Sequence, residues 1–383
     1  MTGIGAAVRR VEDERFLTGR GRFVDDLRPV GTVFAHLLRS PHAHARIAHI
    51  DTSAARGALL VLTHEDVARE RLGALPCAAF PEMSGTFRPT QPILAAGTVR
   101  YVGEAVALVV AETAAQAADA AELIDVEYEA LPAVTLPDAR ASGAPKVWDE
   151  ARDNVSFRLE RGDRTAVERA FASAARVTRL AIHYPRASAN AIEPRAALAW
   201  QEEGRWTLYS TAQSPFQLRE VLSSVLGMPQ TELRVVVPDV GGAFGMKSQV
   251  YPEDAIVLWA ARKLGRPVKW TASRAESLAA DMHGRGQIAE AELALDASGR
   301  ALALRVSVDI DLGAYLSHHA GVAPNNAAIS YTNTYDIPLI HAVVHACFTH
   351  TSPVGPYRGT AKPEATYVTE RLFDQAAREM QID

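Results

Sequence analysis

Apolar and polar positions follow two rhythms along the chain, one of period two and one near 3.6, and together they place most of the elements. The first thirty residues carry charge with neither rhythm. Within them Leu17-Thr18-Gly19-Arg20-Gly21-Arg22-Phe23-Val24-Asp25-Asp26-Leu27 gives a turn and then a short strand. Val33-Phe34-Ala35-His36-Leu37-Leu38-Arg39 alternates as a strand. Ala58-Leu59-Leu60-Val61-Leu62-Thr63 is apolar until its last residue, a buried strand whose Thr63 can cap a helix through Glu65-Asp66-Val67. Residues 76–92 hold proline and glycine without periodicity and read as a loop. Residues 99–110 give two strands about Gly103, Thr113 caps an alanine-rich helix over 114–123, and 124–128 return as a strand. These segments form a self-contained α/β unit.

A proline- and glycine-bearing linker, 141–153, separates that unit from a second region beginning near Asn154. There the pattern predicts a helix over 164–174 and strands over 175–183, 196–200 and 206–211. A helix over 215–226 closes on Gly227, and the β-branched run Val235-Val236-Val237 enters Pro238-Asp239-Val240-Gly241-Gly242-Ala243-Phe244-Gly245-Met246-Lys247. A helix over 252–264, apolar at helical spacing, closes on Gly265. Strands and turns fill 268–314, a loop-rich stretch ends at residues 352–359, and a helix over 363–380 finishes the chain. That helix runs into Gln381-Ile382-Asp383 with no visible cap or polar tail, so the sequence reads as interrupted.

Composition narrows the classes. The 383 residues suffice for two or three domains at roughly 100–200 residues each. With 48% hydrophobic and 22% charged residues, a soluble protein with a large core is expected. A net charge of −5 offers no basic field for nucleic acid or an anionic membrane. No apolar run reaches about 18 residues, so no membrane span is expected. The N-terminus has no basic region followed by an apolar core, which points to the cytoplasm. Cys77 and Cys347 stand alone, which excludes a disulfide scaffold, a zinc ribbon or an iron–sulfur cluster built from this chain. His36, His42 and His44 cluster without a carboxylate or cysteine to complete a metal set.

The candidate chemistry starts at the glycine loop. A strand ending in glycines lets backbone N–H groups approach phosphate or carbonyl oxygens, although an isolated Gly-Gly-x-x-Gly is also an ordinary turn. Its spacing is not a dinucleotide fingerprint, and no Lys-Ser/Thr makes it a Walker loop. Gln213, the Gly241–Gly245 turn, Arg285 and Arg358 each end a strand or open a loop. They are either satisfied loop groups or partners of one shared ligand with anionic or oxo groups.

The chain resembles the first half of the large, molybdopterin-binding subunit of the xanthine oxidase/aldehyde oxidase/aerobic carbon monoxide dehydrogenase family. The resemblance is carried by Leu17-Thr18-Gly19-Arg20-Gly21-Arg22-Phe23-Val24-Asp25-Asp26, by Arg39-Ser40-Pro41-His42-Ala43-His44-Ala45 and by Tyr101-Val102-Gly103-Glu104-Ala105-Val106-Ala107. Further along, Ile192-Glu193-Pro194-Arg195-Ala196-Ala197, Thr211-Ala212-Gln213-Ser214-Pro215, the run from Gly241 to Lys247 and Tyr357-Arg358-Gly359 complete it. It implies an α+β (mixed α/β) fold: an α/β hammerhead domain over 1–140, a linker over 141–153, and the first part of a molybdopterin-binding domain, truncated, over 154–383. The histidine cluster then becomes a structural signature of the hammerhead.

The implied cofactor is a molybdenum-molybdopterin cytosine dinucleotide whose metal the protein does not ligate. Gln213 would lie beside the molybdenum, Gly242, Ala243, Phe244 and Gly245 would contact the cofactor through backbone amides, and Arg358 would hold the pterin side. Arg285 would orient substrate or stabilise developing negative charge; its plainer reading is a surface salt bridge. The implied activity is hydroxylation of an aldehyde or N-heteroaromatic carbon with water as oxygen source. The glutamate base of that chemistry has no match here, so the C-terminal half of the large subunit is an expected partner. A [2Fe-2S] small subunit and an FAD medium subunit would carry electrons. Gly359-Thr360 without a cysteine disfavours carbon monoxide oxidation, and Ser248 and Thr360 disfavour purine recognition. Ala243 and Ala361-Lys362 stand where relatives often have glycine or Gly-Arg. A non-catalytic truncated paralogue or assembly module is the alternative.

Overall fold

Residues 3–77 and 85–382 are described by the computed structural model; part of the expected 76–92 loop, residues 78–84, lies outside them. The N-terminal elements are α1 (Asp13–Leu17), β1 (Val33–Arg39), β2 (Ala45–Asp51), β3 (Leu60–Leu62), α2 (His64–Arg69), β4 (Thr98–Val99), β5 (Ala105–Ala111), α3 (Ala114–Glu122) and β6 (Asp125–Ala130). Reciprocal capping sets the start of α3: the Gln116 N–H donates to Thr113 Oγ1 at 3.2 Å, while the Gln116 side chain accepts from the Thr113 N–H at 3.1 Å. Where a strand was expected after Leu17, residues Val24–Asp26 instead form a 3₁₀ turn. The Asp26 carboxylate accepts the Phe23 N–H at 2.9 Å, a local bond that competes with strand pairing.

Next come β7 (Val155–Gly162), α4 (Arg164–Ser173), β8 (Arg176–Ala187), β9 (Ala196–Glu202), β10 (Arg205–Ser210), α5 (Pro215–Val225), β11 (Leu233–Val236) and α6 (Pro252–Leu264). The chain finishes with β12 (Val268–Thr271), α7 (Arg274–Ala280), β13 (Gly284–Leu295), β14 (Ala301–Gly313), α8 (Val322–Ser330), β15 (Ile340–Phe348) and α9 (Lys362–Met380). Helix α7 falls inside the stretch expected to hold only strands and turns, started by a Ser273–Glu276 capping box. The stretch expected to be loop-rich contains α8 and β15. Histidines interrupt the apolar alternation of β15, but His341 meets Glu160 at 2.7 Å and His345 meets Asp309 at 3.1 Å. The end of α9 is capped after all, by Gln381 at φ 57° and a bond from the Ile382 N–H to the Ala377 carbonyl.

Strands assemble into a mixed seven-stranded sheet, β11-β10-β9-β12-β1-β5-β3, a five-stranded sheet, β7-β15-β14-β13-β8, and a three-stranded sheet, β4-β2-β6. The first runs through both expected domains, because β1 pairs parallel with β12 at Val33–Val268 and Phe34–Lys269. One core lies under this sheet and α6, whose residues from Pro252 to Ala261 are all buried. A second joins the five-stranded sheet to α8 and α9. Strands β10 and β11 run parallel, in register at Tyr209–Val236, so their C-terminal ends leave the sheet on one edge. That edge receives Gln213 and the glycine loop together. The start of β13 and the N-terminus of α9 bring Arg285 and Arg358 to it.

Candidate functional site

The five-residue turn after β11 is held open by its own backbone. Gly242 and Gly245 adopt φ of 98° and 96°, and Phe244 sits at 53°, a left-handed value uncommon for a side-chain-bearing residue. A Cβ on Gly245 would lie 2.6 Å from the Pro356 carbonyl oxygen, so only glycine lets this loop and the one before α9 approach so closely. Among the described residues, the N–H groups of Gly242, Ala243 and Phe244 donate to no protein acceptor. Three successive unused donors on a glycine turn suit an anionic or oxo ligand.

Hydrogen bonds join the four expected segments. The Gly245 N–H donates to Gln213 Oε1 at 3.0 Å, and the Gln213 N–H donates to the Lys247 carbonyl at 2.8 Å. The Arg358 N–H donates to the Phe244 carbonyl at 2.9 Å. Arg285 closes the set: its Nη2 donates to the Arg358 carbonyl at 2.9 Å and its Nη1 to Glu364 Oε2 at 2.9 Å. Its guanidinium also lies over the Tyr357 ring, 4.6 Å from the centroid. The Arg285–Glu364 pair is buried, with side chains 10% and 3% exposed, so the surface alternative does not describe it. The Gln213 and Arg358 side chains and the Phe244 ring remain open to solvent on this face.

Strain concentrates here as well. Arg285 has φ 66°, and Thr360 and Ala361 follow Gly359 with φ of 41° and 64°. A β-branched residue in that region costs of order 1–3 kcal/mol and persists only where its surroundings over-determine it.

Two residues to which the sequence motifs assign no role lie behind the loop. Glu193 accepts the Gly241 N–H at 2.7 Å and the Lys247 ammonium at 2.9 Å, and the same ammonium donates to the Glu193 carbonyl at 2.9 Å. Burial pulls the Lys247 pKa down against the opposing pull of Glu193. Deeper still, Arg195 grips Glu253 through two bonds, at 2.8 and 3.0 Å, and Asp281 at 2.5 Å, while Arg39 reaches Glu253 at 2.6 Å and Glu276 at 2.7 Å. The signal for Glu193 was its place in the Ile192-Glu193-Pro194-Arg195 run; nothing local named its partner. His283, next to Gly284, has its pKa pushed down to about 4 by burial and by Arg186. In the hammerhead cluster, His44 stacks on His350 at 4.0 Å and His42 tilts against Tyr128.

Comparison with known proteins places both parts of the chain in families. Residues 147–383 match the family described as "Molybdopterin cofactor-binding domain", and residues 18–132 match "Aldehyde oxidase and xanthine dehydrogenase, a/b hammerhead domain". The chain is 37% identical over 388 residues to the nicotine 6-hydroxylase large subunit of Paenarthrobacter nicotinovorans, covering 99% of this chain and 47% of that protein. It is 33% identical over 407 residues to the carbon monoxide dehydrogenase large chain of Afipia carboxidovorans, covering 100% and 49%. Among solved structures, quinoline 2-oxidoreductase from Pseudomonas putida 86 superposes with a TM-score of 0.91 at 37% identity, over 99% of this chain and 49% of the other. The chain thus spans about half the length of the relatives it matches. With both matched segments in hand, the chain belongs to the aldehyde oxidase and xanthine dehydrogenase family and carries its hammerhead and molybdopterin cofactor-binding domains.

Proposed function

We propose that this chain is the N-terminal portion of the catalytic subunit of a molybdenum hydroxylase that oxidises an aldehyde or N-heteroaromatic carbon with water as oxygen source. The observation that carries the reading is the hydrogen-bonded union of Gln213, the glycine loop, Arg358 and Arg285 on one face. The residues present fit a molybdopterin. Three successive amides are unused among the described residues, glycine is required at Gly245, and the exposed Arg358 guanidinium has no protein partner among the described residues. Gly242, Ala243, Phe244 and Gly245 would hold the cofactor by backbone contact, and Arg358 would hold its pterin side. When bound, the molybdenum cofactor supplies the two-electron redox chemistry of the hydroxylation.

The chain's own residues prepare the site. With Oε1 engaged by Gly245, the Gln213 amide keeps its NH₂ donors for an oxygen acceptor of the ligand. The half-exposed Phe244 ring would offer a bound ligand an apolar wall on one side. Arg285 spends two of its five N–H donors on Glu364 and the Arg358 carbonyl, which leaves three for a substrate or for developing negative charge. Within the substrate class, nicotine 6-hydroxylase and quinoline 2-oxidoreductase are named for N-heterocycles, which favours a heteroaromatic substrate over an aldehyde. Thr360 after Gly359, with no cysteine in that loop, argues against carbon monoxide, and Ser248 with Thr360 argues against purines.

The cofactor form proposed is the cytosine dinucleotide. The base and the rest of the cradle would come from a C-terminal half, and [2Fe-2S] and FAD subunits would take the electrons, all in the cytoplasm. Molybdenum and CMP analysis of the chain, produced with and without a C-terminal half, tests this. About one of each per chain, only with that half present, is the expected result. Absence of molybdenum under both conditions would leave a non-catalytic remnant.

A further inference from the structure

The loop from Gly241 to Lys247 has little holding it from within. Its internal backbone bond runs from the Met246 N–H to the Ala243 carbonyl at 3.0 Å. Its two ends, however, meet on one side chain. Glu193 Oε2 accepts the Gly241 N–H at the start and the Lys247 ammonium at the finish, 2.7 and 2.9 Å away. The backbone repeats the pairing, the Glu193 N–H donating to the Gly241 carbonyl at 3.1 Å and Lys247 donating to the Glu193 carbonyl. A Cβ on Gly241 would lie 2.6 Å from Glu193 Cβ, so the two chains touch without an intervening side chain. The Lys247 side chain is 0% exposed and Glu193 11%. The second carboxylate oxygen, Oε1, is buried and unpartnered among the described residues, which leaves Lys247 as the charge that balances Glu193.

We infer that the buried Glu193–Lys247 ion pair is the positioning element of the molybdopterin loop, a staple across its ends that sets the loop's amides and, through the Lys247 carbonyl, Gln213. Resting on the proposed cofactor role of the loop, it adds the pair that shapes it. Neither residue touches a reacting atom. Each acts through the peptide groups it holds: Gly241 directly, Gln213 through the bond from its N–H to the Lys247 carbonyl, and Gly245 through Gln213. A carboxylate is required because one oxygen must accept a peptide N–H and an ammonium together.

The full chain, as wild type, Glu193→Ala and Glu193→Gln, is the material for the test. Residue-resolved hydrogen exchange of the chain alone reads the staple, and molybdenum and CMP content after production with a C-terminal half reads its consequence. Glu193→Ala is expected to speed exchange at Gly241, Gly245 and Met246 by about tenfold or more, with β5 and α6 at wild-type rates. Molybdenum should then fall to below about a tenth of wild type. Glu193→Gln keeps an acceptor for Gly241 but no charge for Lys247, and should fall between. Unchanged loop exchange in Glu193→Ala overturns the inference, and so does equal acceleration in β5 and α6, which would mark a general packing role. A wild-type chain that takes up no molybdenum would sink the proposed function; the exchange result would still decide the staple.

Discussion

Replacing Gly245 by alanine isolates the closest approach in the site. At φ 96° and ψ −27°, a Cβ costs about 1–2 kcal/mol for the left-handed backbone alone. The added carbon would stand 2.6 Å from the Pro356 carbonyl oxygen and 3.1 Å from its carbon, well inside ordinary contact. Neither side yields easily. The facing segment is tied by the Gly355 N–H to the His283 carbonyl and by the Arg358 N–H to the Phe244 carbonyl, both at 2.9 Å. Forcing atoms into a packed site costs typically another 1–3 kcal/mol. The sum for Gly245→Ala is therefore about 2–5 kcal/mol.

Gly227 supplies the control. It has φ 58°, and a Cβ added there would meet nothing within 4 Å, so Gly227→Ala incurs the backbone cost without the clash. Urea unfolding of both variants beside wild type measures the difference. Gly245→Ala should be less stable than Gly227→Ala by about 1–3 kcal/mol, and exchange at Gly355 and Arg358 should rise only in the former. Equal stability loss within about 0.5 kcal/mol would refute the close approach and the reason given for glycine there.

Three further outcomes follow from buried charge. Burial raises the Glu104 carboxyl to about 7, with the bonds from Tyr315 and the Arg100 N–H opposing it only in part. Its stabilisation is present below the ordinary value near 4.5 and is lost as pH rises through 7, up to about 3 kcal/mol, so Glu104→Gln should gain on wild type between pH 5 and 8 in urea melts; a constant gap would contradict this. Burial would raise Glu253 too, but Arg195 and Arg39 hold it down to about 2, so its contribution is present above 4.5 and vanishes as pH falls through 2. Glu253→Ala takes from two buried arginines the carboxylate they share, leaving Arg195 with Asp281 and Arg39 with Glu276, and should cost about 3 kcal/mol at pH 7, read by the same melts, with a loss below about 1 kcal/mol counting against the network. Arg285→Met leaves Glu364 buried and unpaired and should cost about 3 kcal/mol, whereas a variant as stable as wild type would mean that Arg285 is not the brace of the Arg358 loop.

The elements that carry their own punctuation were legible in the sequence. Thr113 and Gln116 fix α3, Gly265 at φ 63° closes α6, and the glycine loop follows its strand as expected. Elements whose stability comes from distant partners were not. Strand β15 has histidines four residues apart that make sense only once Glu160 on β7 and Asp309 on β14 come within hydrogen-bond reach of them. The pairing of β1 with β12 joins residues far apart in sequence, and no local pattern encodes it. For the site, strand ends and glycine-bearing loops singled out Gln213, Phe244, Arg285 and Arg358, and the roles expected of them came from the family resemblance. The partners Glu193, Lys247 and Glu364 are ordinary charged residues locally; only folding shows that each is buried on a site residue.

Glu193-Pro194-Arg195 ties the strained surface to the rigid interior. Glu193 staples the glycine loop, and two residues later Arg195 enters the charged network on α6 and Asp281. Pro194 between them has a fixed φ and little freedom to absorb movement. The Arg195 carbonyl accepts the Ala272 N–H at 2.9 Å, and the Ala196 N–H donates to Thr211 Oγ1 at 3.2 Å, two residues before Gln213. A displacement of Arg195 would therefore reach the glycine loop through Glu193 and Gln213 through Thr211. Left-handed Phe244, Arg285, Thr360 and Ala361 can persist on the open face because the segments behind them are fixed in this way. By the same coupling, conservative changes in the buried network are expected to alter the open face that carries Gln213, Phe244 and Arg358.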